Sequence, residues 1–169
     1  MTLGFYKTFP ENIHHLDNYT SFVTIRQLQQ KIIHFLGNIN RKELAFEQIS
    51  IPTIPDGLVL FEFGLAEDAG FNYLSPPEVS RALDFVDQEQ VYTLDFFCSI
   101  RYYRGNGETR VALKFDYYML RTVFSKGMLE LRVFHERGPR YLSPEDVTSF
   151  IVKGVNIESN KTVLRQKNL

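Results

Sequence analysis

Tryptophan is absent, and cysteine occurs once, at Cys98. A single thiol excludes an intramolecular disulfide framework and a cysteine-rich zinc site. No stretch approaches the roughly 20 apolar residues that cross a bilayer as a helix. Residues 1–10 also lack the apolar run behind a basic start that marks a secretory signal. These absences lead us to expect a soluble, cytoplasmic protein with no membrane partner. Excess charge of one sign is missing too: 19 Lys+Arg stand against 20 Asp+Glu, for a formal net charge of -1. That balance excludes an overall basic binder, and with 44% apolar residues it excludes a disordered chain. No repeat of fixed period and no low-complexity tract divides the 169 residues, so residues 1–169 read as one domain.

Phenylalanine (15) and tyrosine (9) are abundant instead, which favours strands. Residues 1–20 are polar and read as an irregular leader. Ile25, Leu28, Ile32, Ile33 and Leu36 recur at helical spacing behind the capping pattern Thr24-x-x-Gln27. Short strands are expected near 44–51 and 57–63, and a loop over 64–74. Ser75-Pro-Pro-Glu78 opens a second helix. Three longer strands follow, over 90–104, 109–124 and 128–137, joined by turns at Gly105-Asn106-Gly107 and Ser125-Lys126-Gly127. Ser143-Pro-Glu-Asp146 opens a last helix, and residues 158–169 read as a frayed tail. The order is α-β-β-α-β-β-β-α. It describes an α+β fold, with a mostly antiparallel sheet of about five strands and three helices on one face. The long strands, if exposed at an edge, would favour self-association and a dimer.

Alternation divides the last three strands into two faces. Leu94, Phe96, Cys98, Ile100 and Tyr102 form a core row, as do Leu129, Leu131 and Val133. In the middle strand the more apolar row is Val111, Leu113, Phe115, Tyr117, Met119 and Val123. Asp116, Tyr118 and Leu120 are accordingly expected to face away, beside Asp95, Arg101, Glu130, Arg132, Phe134 and Glu136.

Three chemistries follow from that expected outer face. Phe134-His135-Glu136-Arg137-Gly138-Pro139-Arg140 gathers an imidazole, a carboxylate and two guanidiniums at a strand end, where sites tend to lie. Arg101, Tyr118, Arg132, Phe134, Arg137 and Arg140 then form a candidate binding surface for a protein partner or a second copy. Next, Asp116 followed by Glu130-Leu131-Arg132 on a neighbouring strand resembles the metal-holding motif of the PD-(D/E)xK nucleases, with arginine in place of the usual lysine. That resemblance covers about 17 residues. It implies a metal-dependent, nuclease-like hydrolase, with magnesium on Asp116 and Glu130 and with His135 or Glu136 assisting. Finally, the rings and arginines together could stack single-stranded nucleic acid. The binding or assembly module, with no metal and no cofactor, is the preferred expectation.

Overall fold

The computed structural model describes residues 3–105 and 107–167. Its elements are β1 (His15–Ser21), α1 (Ile25–Ile39), β2 (Glu43–Ala45), β3 (Gly57–Glu67), β4 (Gly70–Tyr73), α2 (Pro76–Gln88), β5 (Thr93–Arg104), β6 (Val111–Ala112), β7 (Asp116–Ser125), β8 (Met128–Arg137), α3 (Pro144–Ser159) and β9 (Leu164–Gln166). The strands form one antiparallel sheet in the order β2-β3-β5-β7-β8-β1-β9, with β4 on β3 and β6 on β5. The α+β class and the three helices are as expected.

The strand count is nine among the described residues, not about five. One of the four added strands arises because the strand expected over 109–124 is broken into β6 and β7; the other three come from segments with a weak apolar signature. Residues 15–21 of the expected leader pair with β8 as β1. Residues 164–166 of the expected frayed tail pair with β1 as β9. The expected loop 64–74 holds the end of β3 and all of β4. Backbone pairing needs no apolar side chains, and in β1 the core-facing row is His15, Asp17 and Tyr19, of which Tyr19 alone is buried. The turn expected at Gly105-Asn106-Gly107 includes Asn106, which lies outside the described residues.

Local chemistry explains the helix starts. Thr24 caps α1 in a capping box with Gln27, and Ser143 caps α3 with Asp146. Ser75 makes no side-chain cap, and α2 starts on Pro76 instead. Helices α1 and α3 lay Ile32, Leu36 and Ile151 over Phe96, Leu120 and Val133 of the sheet. Helix α2 packs on α1. The opposite, outer face carries none of the helices.

Part of that outer face is closed by the chain's own start. Beyond Phe63, β3 leaves β5, and residues 3–4 fill the gap: Leu3 bridges Glu67, Gly4 N donates to Ala66 O (2.6 Å), and Asp95 N donates to Gly4 O (2.6 Å). The leader is thus partly a sheet element. Strands β5 and β7 have neighbours on both sides, so the exposed long edge expected over 90–124 does not exist. Three-residue strands, β2 and β9, occupy the two ends of the strand order instead.

Candidate functional site

Strand β7 runs in the opposite phase to the one expected. Its core row is Asp116, Tyr118, Leu120, Thr122 and Phe124, and its outer row is Tyr117, Met119, Arg121 and Val123. Counting apolar residues selects the wrong face, because the true core row holds two polar residues. The fold satisfies both. Thr122 Oγ1 donates to Leu94 O (2.7 Å), and the Asp116 carboxylate collects four donors.

Those four donors define the inner part of the site. Asp116 Oδ2 accepts from Tyr102 OH (2.6 Å) and Tyr141 N (2.9 Å). Asp116 Oδ1 accepts from Arg140 N (2.7 Å) and lies 2.9 Å from His135 Nε2. Arg140 Nε, which can only donate, approaches His135 Nδ1 at 3.3 Å. The partners therefore put the imidazole proton on Nε2, facing Asp116. Burial and the neighbouring carboxylate hold the Tyr102 hydroxyl well above its ordinary pKa, so it stays a donor. Tyr118 lies in the core, with its hydroxyl on Leu142 O. Cys98 is also in the core, its thiol kept protonated by burial and by Asp116.

This arrangement corrects two expectations. Tyr118 is not a surface contact. Asp116 and Glu130 cannot share a cation: Asp116 faces the core, whereas Glu130 faces outward opposite Val123. Asp116 and Val123 are also seven positions apart on β7 (123 − 116), roughly 23 Å at 3.3 Å per residue. His135 does sit beside Asp116, and an imidazole held by a carboxylate is the orienting half of a catalytic dyad. Here, though, Arg140 covers its other nitrogen, and no hydroxyl or thiol is hydrogen-bonded to it among the described residues. What the cluster does is hold residues 138–142 against the end of β7. Glu136 is exposed and takes no part in it.

The outer part of the site is a band of rings. Tyr6–Phe71, Phe71–Phe97, Phe97–Tyr117 and Phe115–Tyr117 follow one another with centroids 4.8, 5.5, 5.9 and 5.9 Å apart. Register places these rings: Ser99, Tyr117 and Arg137 lie in one row across β5, β7 and β8, and Phe97, Met119 and Phe134 lie in the next. Arg137 stacks over Tyr117 at 4.6 Å, and Arg101 over Phe115 at 5.1 Å. Arg101 also pairs with Glu62 (3.0 Å), and Arg132 with Glu130. Phe134 is covered by the His14 ring at 4.9 Å. Arg137 and Arg140 are exposed and have no acidic side chain paired with them among the described residues.

The structure therefore brings together Arg101 and Arg137 through the rings of Phe115 and Tyr117, with Phe134 and Arg132 farther along the face, whereas Arg140 lies against His135 at the end of β8. It adds His14, Phe97, Phe115, Tyr117 and Tyr141. Of these, Phe97 was legible from alternation alone, and Tyr117 would have been with β7 in its true phase. Asp95 and Arg121 were missed as a pair. Asp95 is buried although it faces outward, because the leader covers it: Tyr6 N donates to Asp95 Oδ2 (2.7 Å), and Arg121 bonds both carboxylate oxygens (2.8 and 2.9 Å) and Tyr6 O (3.1 Å). Compared with known proteins, the chain matches no family model, no curated protein and no solved structure.

Proposed function

We propose that the protein is a non-catalytic binding module whose contact surface is the outer sheet face around Tyr117 and Arg137, with the exposed Arg140 at the end of the sheet. The band Tyr6–Phe71–Phe97–Tyr117–Phe115 carries this reading. These are half-buried rings on a sheet face that carries none of the helices, and Arg101 and Arg137 stack on two of them. Arginine on aromatic rings is the residue pairing enriched at the centres of protein interfaces. The ligand that fits is an acidic segment of another protein. Arg137 and Arg140 offer two guanidiniums that are not already neutralised, whereas Arg101, Arg121 and Arg132 each have a carboxylate.

Single-stranded nucleic acid fits less well. The rings are tilted 38°, 45°, 41° and 31° to one another, so they lean together rather than lying open for successive bases to stack. Capture from native extract, with and without nuclease, separates the two. Proteins retained by the wild type should be released by Arg137→Ala with Arg140→Ala and should survive nuclease. If the double variant retains the same proteins, this surface is not the contact. If nuclease removes them all, the ligand is nucleic acid.

A further inference from the structure

A second concavity lies at the opposite end of β8 from Arg137. It opens between the β1–α1 turn, the α2–β5 connection and the β7–β8 turn, and holds about 710 Å³. That volume falls in the range of small-molecule sites, about 300–1,000 Å³. Three independent features converge there.

The walls are apolar. Phe22 and Tyr92 are 53% and 50% exposed, among the most exposed large apolar side chains of the domain, and both line the groove with Ile25, Val86 and Val91.

One half-used amide sits in the lining. Gln29 is 2% exposed. Its Nε2 donates to Val91 O (2.7 Å), but Oε1 accepts no hydrogen bond among the described residues. Oε1 is not enclosed by protein, so it is open to the groove that Gln29 lines and can accept a hydrogen bond there.

One corner is positive. The N-terminus of α1 forms part of the lining. Thr24 caps only the amide of Gln27, and the amides of Ile25 and Arg26 bind nothing among the described residues. These unspent donors and the helix dipole favour an anion. Arg26 and Lys126 also line the groove, with no acidic side chain paired with them among the described residues, and Glu89 is the one carboxylate in the lining.

We propose that this groove binds a small amphipathic anion. Its apolar body lies against Phe22 and Tyr92, an N–H or O–H donates to Gln29 Oε1, and its carboxylate or sulfonate sits at the start of α1 beside Arg26 and Lys126. The site is separate from the outer sheet face and does not depend on the reading given for that face.

The probe is 8-anilino-1-naphthalenesulfonate, which carries apolar rings, one N–H and one sulfonate, titrated into the full chain and followed by fluorescence. Saturable binding at one site is expected, with displacement by N-decanoylglycine but not by decanol. Arg26→Glu with Lys126→Glu should weaken the probe at least about tenfold, and Gln29→Leu about tenfold, as expected for one charge-assisted or buried hydrogen bond. Arg137→Glu, at the other end of β8, should leave binding unchanged. Circular dichroism confirms that each variant is folded; if Gln29→Leu is not, the surface double variant decides. Three results overturn the proposal: no saturation, equal affinity in the Arg26/Lys126 variant, or an equal loss in Arg137→Glu.

Discussion

Asp116 shows how one residue can be conspicuous in a sequence and still be misread. An acid on a strand beside tyrosines and arginines looks like surface chemistry. In the fold it is fully buried and accepts from Tyr102 OH, His135 Nε2, Arg140 N and Tyr141 N. A carboxylate with four donors is stable in the interior, whereas the donors without it are not. Asp116→Ala should therefore cost about 3 kcal/mol in urea unfolding, and Tyr102→Phe, which removes one donor, about 1 kcal/mol. An Asp116→Ala loss no larger than that of Tyr102→Phe would mean that the carboxylate does not hold the loop. Gly138 belongs to the same knot. Its φ is +115°, and a Cβ there would run into Phe115 O and the Asp116 carboxylate. Both the backbone conformation and the space require glycine. Gly138→Ala should destabilise by about 2–3 kcal/mol, with the backbone strain alone of order 1–3.

At the scale of elements, legibility tracked how much apolar surface each segment buries. The start of β8 at Met128 and its end at Arg137 were readable, because Leu129, Leu131 and Val133 alternate cleanly with Glu130 and Arg132. Helices α1 and α3 were readable from their capping boxes and apolar stripes. The phase of β7 was not, because its outer row also carries apolar residues, Tyr117, Met119 and Val123, while its core row holds Asp116 and Thr122. Strands β1 and β9 were not, because they are bound mainly through backbone to neighbours distant in sequence. The entry to β1 also carries a pH dependence. His14 Nδ1 accepts from the backbone N–H of His135 (2.8 Å), which requires an unprotonated nitrogen. Partial desolvation, then the nearby Arg140 and His135, lower the His14 pKa from its ordinary 6.5. Folding thus favours neutral His14. Its contribution to stability is complete above pH 6.5 and is lost as pH falls toward the lower folded value. An NMR titration of the wild type should place the His14 midpoint below 6.5 and show the His135 amide moving with it; a midpoint at or above 6.5 refutes this.

Over the whole molecule, the one-sided sheet depends on a strap. Helices α1 and α3 seal the inner face, while one corner of the outer face is sealed by residues 3–10. The fastening is the Asp95–Arg121 pair. Arg121 is bidentate on Asp95, reaches Tyr6 O, and has its guanidinium between the rings of Phe5 (4.9 Å) and Phe9 (4.5 Å). Arg132, its cross-strand neighbour, pairs with Glu130 in a far more solvated setting. The two arginines differ in burial more than in chemistry, and burial decides which one matters. Removing one partner of a buried pair leaves a charge without water or counterion, at about 3–5 kcal/mol, whereas a solvated pair contributes at most about 1 kcal/mol. Arg121→Met should therefore destabilise by several times as much as Arg132→Met in chemical unfolding. Trypsin gives a local readout of the same difference. Lys7 is exposed, but its backbone is held between Tyr6 and Phe9, so cleavage after it should be slow in the wild type and in Arg132→Met and fast in Arg121→Met, before the rest of the domain is cut. Equal cleavage in both variants would mean that the leader is held by the Leu3 and Gly4 backbone bridges alone, and that the buried ion pair merely accompanies them.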